Sequence, residues 1–285
     1  MSVLKEEIYI SLAYWLRRIG HDVSMDRGRL DPSCLNVLIG FPYVDDAVID
    51  RLIGAGPGYV IFDAELIDAG MINFKPETAF WFSEPRNRLF RHAAAFLTYF
   101  EQSARFLQRT FGLPVFKLAP SHCPVLATHR PMGEKDCDID VLFFGRIYDS
   151  RAGLLDALAG TCRLRCLDVG DLTTFHMRNE LAARAKIVLH LGHRPPFAHI
   201  GLMRLMSMAH IGVFSLSEDR TEIEPELRPL SGWWNSDAMA LSDCVTGWLA
   251  RPDDRRGIAR GALDRIEAST DLSELKTFWD VHVAV

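Results

Sequence analysis

The sequence predicts an α/β protein built from two successive stretches in which buried strands alternate with amphipathic helices, closed by a helical tail. Three observations predict it. Apolar runs such as IDVLFF (139–144) and KIVLHLG (186–192) are too short for helices of their own and rich in branched and aromatic residues, the pattern of parallel strands covered on both faces. A turn and a segment of helical spacing follow such runs, and that alternation builds a parallel sheet with right-handed crossovers. The alternation is interrupted by a polar, proline-bearing stretch at 121–137, which reads as an interdomain linker between a first domain, 1–120, and a second, 138–285.

The elements follow in order. Ile8, Leu12, Trp15, Leu16 and Ile19 repeat at helical spacing until Gly20 and His21 stop the helix, and a short strand is expected at 22–25. NVLIGF (36–41) reads as a strand, 45–53 as a helix, and GPGYVIFDAE as a turn leading into a strand that ends near Asp63 to Glu65. A short apolar run at 79–82 precedes Ser83, which can cap a helix with Pro85 near its start. A strand at 95–98, a helix at 102–109 before Gly112, and a last strand in VFKLAP complete the first domain.

In the second domain the strand 139–144 ends at Gly145. AGLLDALAG then places Leu154, Leu155 and Leu158 on one helical face before Gly160. RLRCLDV (163–169) reads as a strand, 177–185 as a helix, and 186–192 as a strand. HIGLMRLMSMAHIG forms a helix with Leu202, Leu205, Met206 and Ala209 on its apolar side, and VFSLSE a strand ending at Glu218. A less regular stretch containing Trp233 and Trp234 follows, then helices at 243–250, 254–267 and 272–280.

At 285 residues the chain has material for about two cores. Hydrophobic content of 48% and charged content of 24% are those of a soluble protein, and no apolar run approaches the roughly 18 residues of a membrane span. The net charge of -5 argues against general nucleic-acid binding, which relies on a basic surface. The opening MSVLKEEIYISLAYWLRR carries charge before any apolar core, so no secretory signal is read and the expected location is cytoplasmic. The six cysteines form no C-x-x-C pair and read as reduced thiols rather than a zinc site.

Ligands of such sheets sit beyond the carboxyl ends of the strands. Those ends carry Gly145 and Arg146, then His190, Gly192 and His193, then Ser217 and Glu218. A glycine admits close approach to the backbone, a helix start offers free N–H groups, and Arg146 and Arg151 supply fixed positive charge, which together suit a phosphate. Neither G-x-G-x-x-G nor a Walker loop is present, so a plain strand-turn-helix with solvated arginines stays open as the alternative.

The order of LAYWLRRIGHDV, NVLIGF, YVIFDAEL, FWFSEPRNRLF, GLPVFKLAPSH, DIDVLFFGRIYDSR, ARAKIVLHLG and LMRLMSMAHIGVFSLSE resembles bacterial glycosyltransferase-like proteins of the GT-B type, related to group 1 glycosyltransferases and spore-coat maturation proteins. The resemblance covers nearly the whole chain through loose motifs. It implies two Rossmann-like domains facing across a cleft, with a nucleotide-sugar donor held mainly by the C-terminal one and an unidentified acceptor facing the N-terminal one. It matches Gly145 and Arg146 to the loop near the donor phosphates, Arg204 to an arginine on the helix after AKIVLH, and Glu218 to the acid closing the next strand. The sequence departs from the two glutamates seven residues apart found beside that helix in many group 1 enzymes, since Gly201 and Ser207 stand nearby.

Glycosyl transfer needs charge to stabilise a departing diphosphate and, for inversion, a base for the acceptor hydroxyl. Arg146, Arg151, Arg194 and Arg204 are the cationic candidates, with no metal and no other cofactor expected. Histidines 190, 193 and 199 lie about a proline pair in a spacing that does not suit a metal site; a sugar or phosphate contact by His193 or His199 and an ordinary place in a loop or core both stay open. Asp63, Glu65 and Glu84 are the possible bases, the resemblance marking Glu65 and Glu84, although Glu84 at a helix start also complements the dipole. Glu218 is expected on the nucleotide ribose. The leading expectation is a metal-independent glycosyltransferase; the alternatives are a non-catalytic nucleotide- or sugar-binding protein, and an epimerase or hydrolase of nucleotide-sugars.

Overall fold

The computed structural model describes residues 6–26, 30–39, 46–55, 58–72, 78–79, 82, 87–168, 174–192, 201–219 and 225–283. The chain divides into two compact units, each discontinuous in sequence: Trp15–Ala119 with Asp271–Val285, here the N-terminal unit, and Met1–Tyr14 with Pro120–Thr270, the C-terminal unit. Among the described residues no helix is long and apolar enough to cross a membrane.

The chain opens with α1 (Glu6–Arg18), then β1 (Asn36–Ile39), α2 (Asp46–Ala55), β2 (Tyr59–Asp63), the hairpin β3 (Ile67–Asp68) and β4 (Met71–Ile72), α3 (Asn87–Arg91), β5 (Ala95–Thr98), α4 (Glu101–Phe111) and β6 (Val115–Lys117). Strands β1, β2, β5 and β6 lie side by side in that order, every pairing parallel. The inner strands β2 and β5 are buried throughout, as their unbroken apolar runs require. Ile61 and Phe96 pack with Ile49, Leu52, Leu89, Phe90 and Leu107 from the helices.

Two local expectations fail here. Residues 21–26 form no strand: of DVSM only Val23 is part-buried, and the Arg17 guanidinium donates to its carbonyl at 2.5 Å. Too little apolar surface is available there to hold a sheet edge. The β3–β4 hairpin went unread because its turn is Ala69-Gly70, both at positive φ (48° and 73°), rather than the Asn-Gly that usually signals such a turn.

The C-terminal unit contains β7 (Ile139–Phe144), α5 (Asp149–Ala159), β8 (Leu164–Leu167), α6 (Phe175–Ala183), β9 (Ala185–His190), α7 (Leu202–Ile211), β10 (Ser215–Glu218), β11 (Gly232–Trp234), α8 (Leu241–Leu249) and α9 (Pro252–Ala268). Its strands are all parallel, in the order β11-β10-β9-β7-β8. Alternation sends Val141, Phe143, Ile187, Leu189 and Leu216 to a face packed with Leu155, Leu158, Leu241 and Val245. Leu142, Phe144 and Val188 go to the other face, against Ala182, Met208 and Ile211. The final helix, α10 (Ser273–His282), belongs to the N-terminal unit, where Phe278 meets Phe116 in a tilted contact at 5.2 Å and Trp279 meets His21 at 5.5 Å between ring centroids.

The Trp233-Trp234 stretch, expected to be irregular, is an edge strand. Gly232 lets it close against the core, since a Cβ there would stand 2.7 Å from Phe214. The Trp234 indole donates to the Met239 carbonyl and the Trp233 indole to the Arg228 carbonyl. The segment 121–137 packs within the C-terminal unit: Cys123 and Leu126 are fully buried, the Cys123 N–H donates to His210 Nε2 at 2.8 Å, and the Met132 N–H donates to the Ala183 carbonyl. All six cysteines are free thiols.

Candidate functional site

Chain order reverses between β7 and β9. From β7 the chain moves to β8 on one side and then returns to β9 on the other, so the connections after β7 and β9 leave in opposite directions and open a crevice at the carboxyl edge. Gly145 ends β7 at this point with φ 143°. A Cβ there would stand 3.0 Å from Nη2 of Arg204, so both the backbone and the close approach of a guanidinium require glycine.

Buried groups tie the crevice walls together. Arg151, near the start of α5, donates from Nε to the Gly192 carbonyl (2.9 Å), from Nη1 to the Arg146 carbonyl (2.7 Å) and from Nη2 to the Leu191 carbonyl (2.7 Å). One guanidinium therefore binds the loop after β7 to the loop after β9. Glu218, at the end of β10, accepts the Gly192 N–H at 2.8 Å, and Asp168, beyond β8, accepts the Ile147 N–H at 3.0 Å. Arg151 and Glu218 were expected on the ligand; the contacts seen here hold the loops after β7 and β9.

Arg204, in the first turn of α7, lies over the Phe144 ring at 4.9 Å from its centroid. Its backbone N–H donates to the Gly201 carbonyl at 3.0 Å, while among the described residues its guanidinium makes no hydrogen bond and no ion pair. It is half-buried; burial, followed by the charges of Arg151 and Arg178, pulls its guanidinium down to about 10, with Glu7 opposing. The residue thus stays cationic at neutral pH, in a field that favours an incoming anion. The start of α7 adds the positive end of a helix dipole.

His190, the last residue of β9, is 1% exposed, and neither of its ring nitrogens is hydrogen-bonded among the described residues. Burial, and then the Arg204 charge, hold it well below the usual histidine range, so it is neutral. Beneath this group lies a buried ion pair between Arg178 of α6 and Glu7 of α1, and Glu6 caps α6 by accepting the Phe175 N–H at 2.9 Å. The pairing of α1 with α6 spans some 170 residues of chain and had no signal in the sequence.

Arg146 follows Gly145 with its side chain exposed, 5.9 Å from the Tyr148 ring centroid. Gly145, Arg151, Arg204 and Glu218 gather about the crevice, as does His190. His193, Arg194, His199 and Glu84 lie outside the described residues. Glu65 sits two residues beyond β2 in the N-terminal unit, its N–H donating to Asp63 at 3.2 Å. Glu7, Arg178 and Asp168 were not singled out from sequence. Asp168 alone had a local signal, as the acid closing a strand.

No family model and no curated protein matches the chain. Solved structures do. A chain of the Glycosylation Associate Protein (Gap123) complex from Streptococcus agalactiae aligns over 88% of this chain and 55% of its own, at 9% identity and a TM-score of 0.53. HepE of Anabaena, solved in complex with UDP, aligns over 80% of this chain and 72% of its own, at 12% identity and a TM-score of 0.50. The chain thus spans about half the length of the first. At these identities the likeness concerns the fold alone: two parallel α/β units, shared with these two structures.

Proposed function

We propose that the protein is a glycosyltransferase that takes its sugar from a nucleotide-sugar and holds the donor diphosphate at the β7/β9 crevice. One observation carries this reading: Arg204, a half-buried cation without a hydrogen-bonding or ionic partner among the described residues, stands against Gly145 at the topological switch point. A lone guanidinium in such a place is stabilised by an anion with acceptor oxygens in its plane. As the sugar leaves, negative charge accumulates on the diphosphate, and fixed cations with a helix start lower that cost without a metal ion. Arg146 is the second cation of the loop, and Glu65 is the candidate base for the acceptor. Likeness of fold to a protein solved with UDP supports a nucleotide ligand.

The absence of any carboxylate from α7, where Ser207 stands one turn after Arg204, favours a second reading in which the same site binds the nucleotide-sugar without turning it over. A thermal-shift screen against UDP, GDP, ADP, TDP and CMP with their sugars tests the common part, since a ligand of the folded state raises Tm. The expected result is a shift for one nucleotide, lost in Arg204→Ala and kept in the surface variant Arg260→Ala. A shift untouched by Arg204→Ala, or none with any nucleotide, overturns it. Release of nucleoside diphosphate with an acceptor panel then separates enzyme from binder.

A further inference from the structure

We infer that His190 receives a sugar hydroxyl of the bound ligand, from the ribose or from the transferred glycosyl group, beside a phosphate held by Arg204. The inference rests on the diphosphate reading above and adds to it the group that recognises the carbohydrate. His190 closes β9 at the switch point. Alternation along β9 places it with Val188 on the face that α7 covers, the same face on which Phe144 lies beneath Arg204. Its Cα partner on β10 is Ser217, whose hydroxyl already accepts from Ser231 at 2.8 Å. On α7, Ser207 is buried with its hydroxyl unbonded among the described residues.

The chemistry of the missing partner follows from the state of the ring. A neutral imidazole has one N–H donor and one bare nitrogen acceptor. An ionised diphosphate offers acceptors only, so it can meet one nitrogen and never the other. A hydroxyl both donates and accepts, and the hydroxyls of a sugar beside a phosphate suit the two nitrogens together. Buried polar atoms without partners are disfavoured and rare, and they are retained where a ligand or water completes them. The ring is closed to solvent in the free protein. Arg204, whose charge acts on the ring and whose guanidinium has no acceptor among the described residues, is the neighbour that must shift for a ligand to reach it.

The test is calorimetric titration of inorganic pyrophosphate, of the nucleoside diphosphate that binds best in the screen, and of its sugar derivative into wild type, His190→Leu and His190→Asn. His190→Leu is expected to weaken the sugar-bearing ligand about tenfold, to leave pyrophosphate unchanged, and to leave the Tm of the free protein equal or higher, because two unsatisfied atoms are removed. His190→Asn, which keeps a donor and an acceptor, recovers part of the loss. Loss confined to the sugar derivative assigns the transferred sugar, and loss shared by the nucleoside diphosphate assigns the ribose. An undiminished affinity in His190→Leu, an equal loss with pyrophosphate, or a Tm that falls in the leucine variant overturns the inference while the diphosphate reading stands. Failure of all three ligands to bind wild type overturns both.

Discussion

Nη2 of Arg204 stands 3.0 Å from the point that a Cβ on residue 145 would occupy. The glycine and the arginine therefore form one device, a bare backbone corner against which a guanidinium is laid.

Gly145→Ala tests that device. The added methyl group meets the guanidinium while the backbone keeps a positive φ, a conformation costing about 1–3 kcal/mol for a residue with a side chain. The expected outcome is a lower Tm together with a loss of nucleotide affinity as large as that of Arg204→Ala, read by thermal shift and titration. The alanine variant with wild-type affinity would show that the approach of Arg204 is immaterial.

Arg151 holds three carbonyls on two loops. Arg151→Leu leaves them buried without donors and is expected to cost more than about 2 kcal/mol in urea denaturation. Arg151→Lys is expected to recover little, because an ammonium cannot reproduce the planar fork that spans both loops.

The Glu7 and Arg178 pair is buried on both sides. Glu7→Gln strands a charge in the interior, with an expected cost of about 3–5 kcal/mol, whereas Glu7→Leu combined with Arg178→Met is expected to recover most of it. A double-mutant cycle on unfolding free energies checks the coupling.

His210 gives the fold a dependence on acid. Its Nδ1 bonds the Met206 carbonyl at 2.7 Å and its Nε2 accepts the Cys123 N–H, so the folded protein needs the neutral ring. Burial lowers its pKa from the usual 6.5 to about 4. Between those values the unfolded chain binds the proton and the folded chain does not. The contribution is therefore complete above about pH 6.5, falls as the pH drops toward 4, and amounts to about 3 kcal/mol. Unfolding free energies measured from pH 4 to 8 check this, and His210→Gln is expected to flatten the profile.

If the protein turns over its donor, Glu65→Gln is expected to lower kcat by about 10²–10⁴-fold with donor Kd unchanged, the mark of a lost general base. An equal change in Kd would move Glu65 from the chemistry to the binding of the nucleotide.

The sequence made legible whatever follows from local pattern. IDVLFF reads as a buried strand because nothing but a doubly covered strand suits six such residues, and the structure returns the same bounds, Ile139–Phe144. LMRLMSMAHI reads as a helix from its spacing, which puts Arg204 in the first turn and Gly212 at the end. Residue type alone did not tell how the polar groups divide their bonds. Arg146 and Arg151 look alike in sequence, yet one is exposed and the other is spent on carbonyls from a loop 40 residues away. Histidine 190 resembled its loop neighbours until the alternation of β9 put it inside the sheet. The GWW strand was hidden by its length, since three residues give no period to read.

The Leu191 and Gly192 stretch is pinned from both sides, its carbonyls by Arg151 and its amide by Glu218. Those bonds form when the chain folds, so the conformational entropy of that wall is surrendered before any guest arrives. Encounter then meets a mould already set on one side, and little of the binding energy is spent on ordering that backbone.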